Sequence, residues 1–75
     1  AYPNPFREST TIEVKGADFK NLKLHLFDIH GRIITSYKAE NERFTLQRNG
    51  LTAGTYFYKI ESDGQLIGVG KLIIQ

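Results

Sequence analysis

The residues able to do chemistry are few and scattered. His25 and His30 are the only histidines in the 75 residues, and there is no cysteine. An imidazole can hold a metal or move a proton near neutral pH. A zinc centre, however, needs a further set of ligands at workable spacing, and none accompanies this pair. His25 falls on the polar side of an alternating segment and His30 at a turn tip, so both read as solvent-facing. Asp18, Asp28 and Asp63 all fall in turn sequences, where a carboxylate is favoured because it bonds to nearby backbone N–H groups. No loop has the ligand spacing of an EF-hand. Ser9, Ser36 and Ser62 lack a glycine elbow and a partnering base. The sequence therefore predicts no catalytic residue, no metal, no cofactor and no enzymatic activity.

The aromatic side chains admit two readings. Phe57 beside Lys59, or Phe27 near His25, could stack on bases or sugars, as single-strand-binding barrels do. Alternatively, Tyr56 and Tyr58 fill a core while Phe27 and Phe57 are partly covered by a neighbouring strand or domain. We take the second as the expectation.

The elements that would position these residues are strands. Period-2 alternation runs through the chain, and no segment longer than one turn has helical periodicity. Ile12 and Val14 share one face of the first strand, with Thr11, Glu13 and Lys15 opposite. Gly16, Ala17 and Asp18 then form a turn. Leu22, Leu24 and Leu26 alternate with Lys23, His25 and Phe27, the clearest half-buried strand. Asp28 to Gly31 reverses direction, Asp bonding to the backbone and Gly supplying positive φ. In 32–39 the register stays open, because Ile33 and Ile34 compete for the inward face.

Phe44 and Leu46 mark a shorter strand, and 49–54 is a crossing loop. Tyr56, Tyr58 and Ile60 then share a face, with Phe57, Lys59 and Glu61 opposite. Asp63-Gly64 between two alternating runs is a strong hairpin signal. Gly68 and Gly70 in the last strand point to a bulge or a close backbone approach.

Composition narrows the class. Ten Lys and Arg against eight Asp and Glu give a formal charge of +2, without any basic block, so nucleic-acid binding gains little support. No run approaches the roughly 20 apolar residues of a membrane helix, and no signal peptide is visible. The length allows one domain, 1–75, and a domain this small buries only about 60% of its unfolded surface. Six or seven short strands separated by turn signals predict an all-β fold, a small antiparallel β-sandwich. The disulfide-bonded immunoglobulin type is excluded by the absence of cysteine and tryptophan. Immunoglobulin-like topology stays open on these grounds. The expected core is Ile12, Val14, Leu22, Leu24, Leu26, Phe44, Leu46, Tyr56, Tyr58 and Ile60.

The sequence opens without Met and closes on the apolar segment 68–75 with no polar tail. It reads as a domain placed last in a larger chain, whose final strand could be read from its end. An edge strand offers backbone groups to which a partner can add a strand.

Several segments, in order, resemble one family. They are Tyr2-Pro3-Asn4-Pro5-Phe6 with Thr10-Thr11-Ile12, the stretch from Leu24 through Asp28 and Gly31 to Arg32, the stretch from Leu51 through Gly54 and Tyr56 to Ile60, and the segment Gly70-Lys71-Leu72-Ile73-Ile74. The sequence resembles the C-terminal sorting domain of the type IX secretion system, type A. That resemblance implies a seven-stranded immunoglobulin-like sandwich at the end of a secreted protein. It implies passage through the periplasm, recognition by an outer-membrane translocon, and removal at the cell surface by a sortase-like peptidase. The partners would be the translocon, the peptidase and an upstream cargo domain of the same chain, with no nucleic acid. The domain would be an address label and not a catalyst.

Carried over by position, Pro3, Asn4, Pro5 and Phe6 match the family's opening motif. Two prolines there stiffen the chain and withhold two N–H donors. Asp28, Gly31 and Arg32 match its central turn, and Gly54, Tyr56, Gly64 and Lys71 its C-terminal motifs. Leu72, Ile73, Ile74 and Gln75 are where translocon contact is expected, with Gln75 a departure from a basic ending. These positions serve the fold, recognition, or both. Two other readings compete. One is a structural immunoglobulin-like module of the flagellar hook-capping kind or appended to a secreted enzyme; the other is a carbohydrate-binding sandwich using Phe27 and Phe57.

Overall fold

The computed structural model describes residues 5, 7–14, 19–39, 42–48 and 50–75. The expected turn at Gly16, Ala17 and Asp18 lies outside them, as do Lys15 and Asn49. Among the described residues the chain forms six strands: β1 (Ser9–Glu13), β2 (Lys23–Phe27), β3 (Ile33–Lys38), β4 (Arg43–Gln47), β5 (Gly54–Ser62) and β6 (Gln65–Ile74). They make two antiparallel sheets, a pair β1-β4 and a four-stranded sheet in the order β3-β2-β5-β6. This is a small all-β sandwich, consistent with the immunoglobulin-like arrangement.

The alternation sets which side chains meet between the sheets. Ile12 from β1 and Phe44 and Leu46 from β4 face Leu24 and Leu26 from β2, Tyr56 and Ile60 from β5, and Leu72 and Ile74 from β6. Each has less than a tenth of its surface in contact with solvent. Burial of this apolar area is the main force holding the two sheets together. Leu22 joins them, whereas Val14 and Tyr58 are partly buried at the margin. Thr10 is also buried, on the same face of β1 as Ile12.

Register explains the two places where the sequence left a choice. Phe27 pairs with Ile33 and Leu26 with Thr35, so Ile34 is the extra residue of a bulge. Neither isoleucine wins the inward face: both are exposed, and Thr35 and Tyr37 stand opposite Leu26 and Leu24. A second bulge lies between Ile60 and Glu61, which pair with Gly68 and Leu66. Ser62 pairs with Gln65 across a two-residue loop. Asp63 and Gly64 there have φ of 48° and 80°, the type I′ geometry that matches strand twist.

Gly70 is the close approach. It stands opposite Tyr58, and a Cβ at position 70 would overlap the Tyr58 ring. The absence of a side chain lets the tyrosine lie across β6, where it covers backbone that glycine leaves bare.

Candidate functional site

The central turn is built by one carboxylate. Asp28 Oδ1 accepts from the main-chain N–H of His30 at 2.9 Å and of Arg32 at 3.0 Å, and Oδ2 accepts from Arg32 Nε at 3.0 Å. The main chain closes the same loop, with Asp28 N–H donating to the Arg32 carbonyl and Gly31 N–H donating to the Asp28 carbonyl. Gly31 takes φ of 80° to complete the reversal, a conformation that costs other L-residues energy. The N–H of Arg32, chiefly, with those of His30 and the guanidinium, holds the Asp28 carboxyl below its ordinary range, against the opposing effect of partial burial. Asp28, Gly31 and Arg32 thus form one self-satisfied turn. The guanidinium of Arg32 projects into solvent at its rim.

The loop into β5 is held by a tyrosine. Tyr56 OH donates to the Thr52 carbonyl at 2.7 Å and lies 3.3 Å from Thr52 Oγ1. A buried ring whose hydroxyl reaches back a few residues to the chain resembles the corner made by tyrosines in immunoglobulin-like sandwiches. Gly54, between the two, adopts φ of 149°. Gly54 and Tyr56 therefore share one corner, and Gly64 belongs to the hairpin at the opposite end of β5.

The C-terminal strand divides by face. Leu72 and Ile74 are 1% and 3% exposed and belong to the core. Lys71 and Gln75 are exposed and Ile73 is half-buried on the other side. The segment ends against a residue that no short-range pattern singled out. Arg48 Nη1 donates to the main-chain oxygen of Gln75 at 2.8 Å, while its Nε donates to the Leu51 carbonyl at 2.9 Å. Arg48 N–H donates to the Glu8 carbonyl. One arginine after β4 thus ties the end of β6 to the crossing loop and to the residue before β1. Of the opening motif, Pro5 is exposed; Pro3, Asn4 and Phe6 lie outside the described residues.

The other candidates are structural. His25 Nδ1 lies 2.8 Å from Ser36 Oγ and Nε2 3.3 Å from Glu61 Oε1, across three neighbouring strands. Ser62 Oγ donates to the Lys20 carbonyl and accepts from Lys20 N–H, and Asp63 accepts from the Asn21 amide. Among the described residues no group of three His, Asp or Glu is placed to hold a metal ion, and no helix is long and apolar enough to cross a membrane. Phe27 and Phe57 are cross-strand neighbours, but the Lys59 ammonium sits 5.3 Å from the centre of the Phe27 ring. Phe27 thus carries a cation on its ring, while Phe57 is exposed.

No curated protein and no solved structure matches the sequence significantly. One family does, over the whole length, and it is a family of sorting signals and not of catalysts. Its match spans the Asp28 turn, the Tyr56 corner and the Arg48-bound terminal strand alike: the chain belongs to the secretion system C-terminal sorting domain family, whose model covers residues 1–75.

Proposed function

We propose that this domain is read in its folded state by the outer-membrane machinery of type IX secretion, at the outward side of its last strand. Membership of the sorting-domain family supports a type IX export signal and an interaction with that machinery, directed toward the cell surface or beyond. The observation that carries the finer reading is the division of 71–75. Leu72 and Ile74 are committed to the core, while Lys71, Ile73 and Gln75 face away from it, and Arg48 fixes the last residue in place. A partner meets this end as a preorganised surface, which lowers the entropy cost of docking. Cargo lies upstream in the same chain, crosses from the periplasm, and is separated from the domain by a sortase-like peptidase at the surface.

The test fuses residues 1–75 behind a periplasmic reporter in a cell with a type IX system. The unaltered fusion is expected at the surface, with the reporter lacking the sandwich by mass measurement. Deleting the terminal residues would confuse two effects, because Leu72 and Ile74 hold the core. A bulky folded tag placed after Gln75 leaves both in place. It should hold the reporter in the periplasm while circular dichroism reports an unchanged sandwich. Equal surface display of tagged and untagged fusions would reject recognition at this end. Surface reporter still carrying the sandwich would reject the cleavage step alone.

A further inference from the structure

The outer face of the four-stranded sheet is not an ordinary solvated surface. By register, Ile33, Phe27 and Phe57 form a row across β3, β2 and β5 that ends at Lys71 on β6. Phe57 is 43% exposed, and Ile33 59%. On β6, Val69 opposite Lys59 and Leu66 opposite Glu61 are 66% and 62% exposed. Single exposed apolar residues need no explanation, but a contiguous band of them marks an interaction surface. A shallow depression of about 400 Å³ runs along it between Phe57, Lys59, Val69 and Lys71.

Charge selects the occupant. Among the described residues, the strands of this face carry Lys23, Lys38, Lys59 and Lys71 against one acid, Glu61, which stands opposite Lys23. Glu61 is already 3.3 Å from His25. Lys23 and Lys38 stand directly opposite each other, a like-charge pair that destabilises an isolated sheet. A second copy of this face would bring lysine against lysine, so self-association through it is disfavoured. This face is built from paired strands and not from a protruding loop, which suits a broad protein surface more than insertion into a lipid layer. The molecule's two long dimensions, 34 × 23 Å, are on the scale of the roughly 800 Å² that each partner of a specific complex buries.

We propose that this face, the Phe27–Phe57 row ringed by lysines, docks an acidic protein surface that also presents apolar side chains. Carboxylates of the partner would answer Lys23, Lys38 and Lys59, and its apolar groups would cover Phe57 and Val69. The proposal extends the reading above, since the two surfaces share Lys71 on β6, and its charge-reversal arm uses only Lys38 and Lys59, which lie outside the terminal segment.

A photoreactive amino acid at Val69, in the full protein carrying this chain and expressed in a type IX cell, tests it. The same label at Thr45, exposed on β4 of the other sheet, is the control. Val69 should give one discrete protein adduct that Thr45 lacks. Mass spectrometry should place the crosslink in a partner segment rich in Asp, Glu and apolar residues. Lys38→Glu with Lys59→Glu should lower the adduct yield about tenfold, as charge reversal at a complementary interface does. Lys59→Glu gives up the contact with the Phe27 ring while Lys38→Glu relieves the Lys23 repulsion, so the variant's melting temperature should stay within a few degrees of the parent's. Identical adducts at both positions, a lipid or glycan adduct at Val69, no adduct there, or a yield indifferent to charge reversal would each overturn it. Surface display of the protein is scored separately, so an adduct without display keeps the docking face and rejects the sorting reading.

Discussion

Arg48 and Gln75, 27 positions apart in sequence, are joined by a 2.8 Å hydrogen bond from guanidinium to main-chain oxygen. The same guanidinium holds the Leu51 carbonyl. Two sheets meet here: Arg48 follows β4 of the pair, and Gln75 follows β6 of the four-stranded sheet. The planar fork of arginine can serve both oxygens at once, which the single ammonium of lysine does less well.

Arg48→Lys and Arg48→Ala should therefore loosen the terminus before they unfold the domain. Arg48→Ala is expected to cost about 1–2 kcal/mol, the scale of lost charge-assisted hydrogen bonds. Amide hydrogen exchange should quicken first at Ile73 and Ile74, with the centre of β2 protected. Uniform acceleration across all strands would show that Arg48 supports the whole fold and not its end.

Gly70→Ala tests the Tyr58 contact. A methyl group there meets the ring, and overpacking of this kind typically costs about 1–3 kcal/mol. In a Tyr58→Ala background the same change should cost nothing, because the obstructing ring is gone. A double-mutant cycle from urea melts measures the coupling. An equal cost in both backgrounds would place the strain elsewhere.

Strand positions were legible in the sequence where alternation was clean. Leu22, Leu24 and Leu26 on β2 and Tyr56 and Ile60 on β5 face the core as expected, and Asp63-Gly64 makes the expected hairpin. Alternation failed where a bulge resets it, which is why Ile33 and Ile34 could not be assigned: a one-residue insertion flips every later side chain. The run of three apolar residues at 72–74 carries no period either, so the commitment of Leu72 and Ile74 to the core emerges only in three dimensions. Asp28 and Gly31 were readable as a turn because their partners are local. Arg48 was not, since its partner Gln75 is distant in sequence, and no short motif records such a bond.

Tyr56 separates ring from hydroxyl. Tyr56→Phe keeps the buried ring and loses only the bond to Thr52, for about 1 kcal/mol. Tyr56→Ala opens a cavity worth about 3–5 kcal/mol. A core this small rarely supplies more than about 3–5 kcal/mol in total, so the alanine variant should be largely unfolded at room temperature and the phenylalanine variant folded. Thermal melts by circular dichroism distinguish the two. A cooperative melt of Tyr56→Ala within a few degrees of the parent would remove Tyr56 from the core.

Asp28 gives the domain an acid limb. Its carboxyl is held below its ordinary value, first by the Arg32 main-chain N–H and also by His30 N–H and the Arg32 guanidinium. A group with a depressed folded pKa stabilises the fold above its unfolded pKa, about 3.9 for aspartate, and loses that contribution as pH falls through the folded pKa. At pH 7 the parent should therefore be more stable than Asp28→Asn, which cannot form the ion pair with Arg32. As pH falls below the ordinary aspartate range and through the lowered folded pKa, the difference should shrink toward zero as Asp28 is protonated. Urea denaturation of both proteins from pH 7 down to pH 2.5 reads this directly, and carboxyl chemical shifts of Asp28 locate the titration. A stability difference that stayed constant over that range would mean that the turn depends on the shape of the aspartate side chain and not on its charge. Arg32 would then be left as an exposed side chain at the rim of a turn that holds without it.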